Sequence, residues 1–70
     1  MKETINSDVT GKKYSPSDCV RIINTKQAML YIKNGCTLYD LYESNGSLVF
    51  LFDRNESTPY YSAWCNRELD

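Results

Sequence analysis

The sequence predicts a small α+β domain with the element order β-α-β-β-α, in which a three-stranded sheet carries two helices on one face. Three observations predict this class. A chain of 70 residues holds one domain, Asn45-Gly46 marks a tight hairpin, and a capped helical segment lies between Asn24 and Gly35. A domain of this size buries only about 60% of the surface that its unfolded chain exposes, so it depends on tight packing or on association.

Residues 1–17 are polar, contain Gly11 and Pro16, and show no apolar periodicity. Such a composition is typical of a flexible N-terminal arm, with Ile5, Val9 and Tyr14 as its only anchors. We therefore expect residues 18–70 to form the single folded domain.

The first strand and the first helix follow the arm. The sequence Cys-Val-Arg-Ile-Ile at residues 19–23 is rich in β-branched residues, as strands are. Asn24 is a preferred N-cap residue, and Gln27 lies three positions further on, a pair similar to a capping box. The helix should end at Gly35, which adopts a positive φ at low cost. The apolar side that we expect to pack on the sheet consists of Ala28, Met29 and Ile32.

The second and third strands form the hairpin. Asn45-Gly46 separates residues 36–43 from residues 47–53, and this dipeptide favours positive φ at both central positions of a type I′ turn. The two-residue loop fixes the register: Ser44 lies opposite Ser47, and counting outward places Tyr39 opposite Phe52. The apolar run at residues 48–52 is typical of a central strand that is buried on both faces.

The second helix completes the domain. Residues 53–56 look like a polar turn, and Pro59 is expected at the first helical position, where its missing N–H is not needed. A right-handed crossover makes the first two strands parallel, with the third between them, which gives the strand order 1-3-2. With both helices on one face, the arrangement resembles a ferredoxin-like fold that lacks its last strand.

The register also assigns side chains to the two faces of the sheet, because successive residues of a strand alternate. The face that should receive the helices carries Tyr39, Leu41, Leu48, Phe50 and Phe52. The opposite face, which the same two helices do not reach, carries Leu38, Asp40, Tyr42, Val49 and Leu51. An uncovered apolar patch of this kind usually marks an interaction site. The alternative is that the arm folds back and covers the patch with Val9 or Tyr14.

The composition argues against several classes of function. A net charge of −1 is unlike the cationic excess of a nucleic-acid-binding protein. The chain holds no histidine, and its three cysteines have neither the paired spacing of a metal site nor the even number of a disulfide set. We therefore predict no catalytic residue, no cofactor and no metal, with reduced cysteines in the cytoplasm. No apolar stretch reaches the roughly 18 residues of a membrane helix.

Six tyrosines and one tryptophan are many for this length, and such side chains are frequent at interface hot spots. We expect Tyr39, Tyr61 and Trp64 to lie in the core. The candidates for contact with a partner or a planar ligand are Tyr31, Tyr42 and Tyr60.

Four segments of the chain carry a family resemblance: VRIINTKQA at residues 20–28, IKNG at 32–35, LVFLF at 48–52 and WCN at 64–66. They resemble a small uncharacterised domain family of Gram-positive bacteria and of their phages and mobile elements. The resemblance spans about residues 18–69 and implies no catalytic motif. It does imply a phage or mobile-element setting, in which short non-enzymatic proteins often block host defence systems.

The leading hypothesis is a non-enzymatic interaction protein of phage or mobile-element type, which forms a homodimer and inhibits a host defence protein, for example in the manner of an anti-CRISPR protein. The residues proposed to bind the partner are Leu38, Asp40, Tyr42, Val49, Leu51, Arg21 and Tyr60. One alternative is an oligomeric sponge that holds a nucleotide signal with Tyr42, Tyr60 and Arg21 or Arg54. Another is a small nucleic-acid-associated regulator that uses Lys12, Lys13 and Arg21.

Overall fold

The computed structural model describes residues 3–70 and arranges their strands in two sheets. The larger sheet contains β3 (Cys19–Ile22), β4 (Leu38–Ser44) and β5 (Ser47–Asp53). The smaller sheet pairs β1 (Ile5–Asn6) with β2 (Lys13–Tyr14), and the sequence analysis did not predict it.

The larger sheet has the strand order β3-β5-β4, and both of its pairings are antiparallel. Counted within this sheet, the order is first, third, second, with β3 and β4 parallel to each other on either side of β5. Helix α1 (Thr25–Lys33) connects β3 to β4, and α2 (Arg54–Cys65) follows β5. The predicted α+β class is confirmed, with two additional short strands before the predicted elements.

The hairpin between β4 and β5 has the predicted turn. Asn45 and Gly46 both adopt positive φ, of 51° and 83°, which is the conformation that a type I′ turn requires. The register agrees with the prediction from Ser44 opposite Ser47 to Asp40 opposite Leu51. All four residues of β5 from position 49 to 52 are buried, as expected of the central strand.

The predicted register is wrong beyond Asp40. A β-bulge lies between Leu38 and Asp40, so that Leu38, and not Tyr39, lies opposite Phe52. A bulge inserts one extra residue into a strand, and every side chain beyond it changes face. Leu38 therefore packs on the helix side of the sheet, and Tyr39 packs on the other side.

Helix α1 begins and ends where the sequence predicts. The side chain of Asn24 accepts a hydrogen bond of 3.1 Å from the backbone N–H of Gln27, and Gly35 has a φ of 105°. The rotation of the helix differs from the prediction. Ala28 is fully buried, but Met29 and Ile32 are 58% and 43% exposed. Tyr31, which the sequence analysis proposed as a contact residue, is fully buried in their place.

Helix α2 begins five residues before Pro59, and the prediction that Pro59 opens it is wrong. The N-cap is Asp53, whose carboxylate accepts a hydrogen bond of 2.9 Å from the backbone N–H of Glu56. Pro59 lies inside the helix, where it has no N–H to offer to the carbonyl of Asn55. The hydroxyl of Thr58 donates to the carbonyl of Arg54 over 2.8 Å, which satisfies one acceptor in the first turn.

The main core lies between the helices and one face of the larger sheet, and the residues buried there are Ala28, Tyr31, Cys36, Phe50 and Phe52. The rings of Tyr31 and Phe52 meet edge to face, with centroids 5.1 Å apart. Gln27 donates a hydrogen bond of 2.9 Å to the hydroxyl of Tyr31, so the polar end of this buried ring has a partner. Trp64 lies against the core as predicted, whereas Tyr61 is 56% exposed.

Within residues 3–70, neither helix has the length and apolar character that a membrane-crossing segment needs.

Candidate functional site

The sheet face opposite the helices is covered within a single copy of the chain. Tyr14 of β2 is buried and packs with Val49 and Leu51 of β5 and with Cys19 of β3, and Tyr39 lies beside them. Of the two possibilities for this face, the structure shows the one in which the arm folds back, with Tyr14 as the covering residue. Val9 is 60% exposed and does not share that role.

Asp40 attaches the arm to the sheet. Its carboxylate accepts hydrogen bonds from the Ser7 hydroxyl over 2.6 Å, from the Tyr14 hydroxyl, and from the backbone N–H of Leu41 over 2.8 Å. The Thr10 hydroxyl adds a bond of 2.8 Å to the carbonyl of Tyr39. The segment predicted as a flexible arm is thus hydrogen-bonded to β4 at two adjacent residues.

The hydrogen bonds to Asp40 change the titration of both partners. Burial opposes ionisation of Asp40, but the bonds from Ser7, Tyr14 and the Leu41 backbone outweigh it, so the pKa of Asp40 is lowered. Burial, together with the hydrogen bond to the Asp40 carboxylate, raises the pKa of Tyr14 to about 12. The pair therefore holds one carboxylate and one neutral phenol over a wide range of pH.

Tyr14 provides a test of this attachment at alkaline pH. A phenol whose pKa is raised in the folded state stabilises the fold below its ordinary pKa of 10.0, and this contribution is lost as the pH rises through about 12. Tyr14→Phe should lower the free energy of unfolding by about 1.5–3 kcal/mol at neutral pH, because it removes a hydrogen bond to a charged group. The difference between wild type and variant, measured by urea unfolding, should shrink above pH 10. A difference that is constant up to pH 12 would contradict the assignment.

The seven residues that the sequence analysis proposed for partner binding do not form one surface. Val49 and Leu51 are buried under the arm, Asp40 binds the arm, and Leu38 lies on the helix side. Tyr60 packs on the main core, where its hydroxyl donates to the carbonyl of Asn34 over 3.2 Å. The two that remain exposed are Arg21 and Tyr42.

An exposed apolar surface lies beside α1. Thr25, Met29 and Ile32 follow one another at intervals of four and three residues, so they share one side of the helix. Together with Lys33 and with Phe50 of β5 they line a groove of about 390 Å³, which we call the α1 groove. Leu48, two residues before Phe50 on the same face of β5, is 48% exposed.

A second cleft lies between β3 and α2, and it brings together the two arginines that the nucleotide hypothesis named as alternatives. Arg21 and Arg54 both line this cleft of about 360 Å³, and Tyr61 lies at it as well. Tyr42 and Tyr60 do not line it. Arg54 also donates a hydrogen bond of 3.3 Å to the carbonyl of Cys19, so part of its capacity is used within the fold.

The polar residues at the start of α2 have structural partners. Glu56 accepts hydrogen bonds of 3.1 Å from both the backbone N–H and the hydroxyl of Thr37, and Asp53 caps the helix. These bonds tie the beginning of α2 to the loop that follows α1. The residues that the sequence suggested to be a polar turn thus hold two elements together.

The cysteines are free thiols, and their environments differ. Cys19 and Cys36 are buried, and Cys65 is exposed. Burial raises the pKa of Cys19, and burial together with the charge of Glu56 raises the pKa of Cys36 to about 11. Both buried thiols are therefore poor nucleophiles near neutral pH. In the described part of the chain, no cluster of three or more Cys, Asp and Glu side chains is arranged to hold a metal ion.

The α1 groove was missed because the apolar spacing of α1 was assigned wholly to the core. A signal was available: Gln27 and Tyr31 stand four residues apart, a spacing at which an amide can satisfy a buried phenol. If that pair faces inward, Met29 and Ile32 lie outside the buried side of the helix.

Comparison with known proteins adds no relative from which a function could be transferred. No model of a protein family matches the chain, and no curated protein or solved structure is similar enough to count as a match.

Proposed function

We propose that this protein is a non-enzymatic interaction protein that forms a homodimer through the α1 groove. The observation that supports the proposal is the exposure of Met29 and Ile32 beside Phe50, at 58% and 43% of their surfaces. Exposed apolar side chains that lie together in a groove can form a site of association.

The chemistry of the groove suits a second copy of itself. Its lining contains one cation, Lys33, and no carboxylate. Apolar surfaces match one another without paired charges, so a two-fold axis through the groove would place Met29 and Ile32 against their own counterparts. A 70-residue domain also has a small core and gains stability by association.

Inhibition of a bacterial defence protein in the host cytoplasm is the role that we propose for the associated protein. It is supported by the sequence resemblance alone. The contact surface proposed from the sequence was the sheet face that the arm covers. The surface that we propose from the structure is the exposed side of α1.

The test is the assembly state of the Ile32→Glu variant. We expect sedimentation equilibrium to find a concentration-dependent dimer for wild type and a weaker or absent dimer for the variant, because a charge would be buried at the interface. One such substitution at the centre of a small interface should weaken association by about tenfold or more.

Val9→Glu is the matched control, since it places the same charge on an exposed apolar residue of the arm, outside the groove. It should dimerise as wild type does. Wild-type protein that sediments as a monomer at every concentration, or equal dimerisation by both variants, would contradict the proposal. Circular dichroism verifies that each variant is folded.

A further inference from the structure

A cavity lies on another side of α1, between this helix and the turn that follows α2. Its volume is about 700 Å³. We call it the C-terminal pocket, and its lining residues are Lys26, Leu30, Lys33, Trp64, Cys65, Arg67, Leu69 and Asp70. The three residues from α1 are spaced by four and three positions, so they form one side of that helix.

The charge of this pocket is unbalanced. Lys26, Lys33 and Arg67 contribute three basic side chains, and Asp70 contributes the single acidic side chain in the lining. The chain as a whole has a net charge of −1, so the pocket is more positively charged than the protein on average. An anion bound in the pocket would relieve the mutual repulsion of the cations.

Arg67 occupies a backbone position that favours glycine. Its φ is +58°, and it follows the C-cap residue Asn66. The backbone N–H of Arg67 bonds to the carbonyl of Trp64 over 3.1 Å, and that of Glu68 bonds to the carbonyl of Ala63 over 2.8 Å. This is the Schellman pattern, whose left-handed residue is usually glycine because a Cβ is strained there. An arginine at this position costs local stability relative to glycine, and such strain is more frequent at functional sites than elsewhere.

The pocket is also lined by apolar side chains. Trp64 and Leu69 pack against the main core while also lining the pocket, and Leu30 lies opposite them on α1. An indole ring offers a face on which a planar ring can stack, and the nearby cations suit a phosphate. The two features together fit a molecule that carries a planar ring and a negative charge.

We propose that the C-terminal pocket binds a free nucleoside phosphate, with the base against Trp64 and the phosphate held by Lys26, Lys33 and Arg67. None of the four residues that the sequence suggested for nucleotide binding lines this pocket, namely Tyr42, Tyr60, Arg21 and Arg54. Lys33 also borders the α1 groove, so the two sites adjoin at one residue.

The experiment follows the fluorescence of Trp64, the one tryptophan of the chain, during titration with ATP and AMP. Separate titrations use adenosine, inorganic diphosphate and a short single-stranded oligonucleotide, and calorimetry repeats each of them. We expect saturable binding of the nucleotides that weakens with added salt, and weaker binding of adenosine and of diphosphate, because each carries only half of the recognised chemistry. Equal affinity for diphosphate and ATP, tighter binding of the oligonucleotide, or no saturable binding of either nucleotide would overturn the proposal.

The Arg67→Gly variant tests ligand binding without an expected loss of stability. Glycine relaxes the left-handed residue, so the melting temperature of the variant should equal or exceed that of wild type. Its affinity for ATP should nevertheless fall by about tenfold, as expected when a charged hydrogen-bond donor is lost. Arg21→Gln, which removes an exposed arginine outside the pocket, should bind ATP as wild type does. Unchanged ATP affinity in Arg67→Gly would contradict the proposed role of the arginine.

Discussion

Phe52→Ala is expected to lower the free energy of unfolding by about 3–5 kcal/mol, the range that is typical when a fully buried aromatic ring is removed. Phe52 has no exposed surface, lies on the central strand, and contacts Tyr31 edge to face. The core of a domain of this size rarely supplies more than about 3–5 kcal/mol of stability, so the variant should be largely unfolded or close to it. Urea unfolding followed by circular dichroism measures the change.

Two further variants test whether the loss of stability comes from the buried volume of Phe52. Phe52→Leu keeps most of the volume and should cost less than Phe52→Ala, since volume-conserving apolar changes are the best tolerated. Ile23→Ala changes a residue that is 64% exposed and should shift the stability by no more than about 0.5 kcal/mol. Equal losses for Phe52→Ala and Ile23→Ala would mean that the core between the sheet and the helices is not as described.

Asp40→Ala is the second substitution with a large expected effect, a loss of about 2–3 kcal/mol in the free energy of unfolding. The change leaves the Ser7 and Tyr14 hydroxyls without their acceptor, and Tyr14 is buried. Hydrogen bonds to a charged group are worth about 1.5–3 kcal/mol each, and their losses overlap when one side chain accepts several. The arm should also detach from the sheet. Trypsin should then cleave after the exposed Lys12 and Lys13 at a higher rate than in wild type.

The pH dependence of this variant has a definite sign. The pKa of Asp40 is lowered in the folded state, so its contribution is present above the ordinary carboxyl pKa and is lost as the pH falls through the lowered value. The stability difference between wild type and Asp40→Ala should therefore shrink in acid. Asp8→Ala removes an exposed carboxylate of the same arm and should leave both stability and cleavage rate nearly unchanged. Equal cleavage of wild type and Asp40→Ala would show that Asp40 does not hold the arm.

The parts of the fold that were predicted correctly depend on chemistry within a few residues. Asn45-Gly46 determines the hairpin because both residues must adopt positive φ, and Asn24 with Gly35 sets the limits of α1. The start of α2 was predictable in the same way. Asp53 followed three positions later by Glu56 is an N-terminal capping pattern, and it outweighs the preference of Pro59 for the first turn.

The parts that were not predicted depend on contacts between residues far apart in the chain. Tyr14 is a candidate anchor in the sequence, but its acceptor Asp40 lies 26 positions away. The bulge beside Asp40 has no marker such as a glycine, and it changes the face of Leu38 and Tyr39. The side of α1 that faces inward is decided by packing of Tyr31 against Phe52, and the spacing of Gln27 and Tyr31 is its local sign.

The bulge in β4 affects how the protein behaves when it is concentrated. β4 is an outer strand of the larger sheet, and a straight outer strand offers a continuous row of main-chain donors and acceptors onto which another molecule can stack. The bulge interrupts this row, and the Thr10 hydroxyl already bonds to the Tyr39 carbonyl. The same few residues that hold the arm thus also hinder strand-by-strand growth into fibrils.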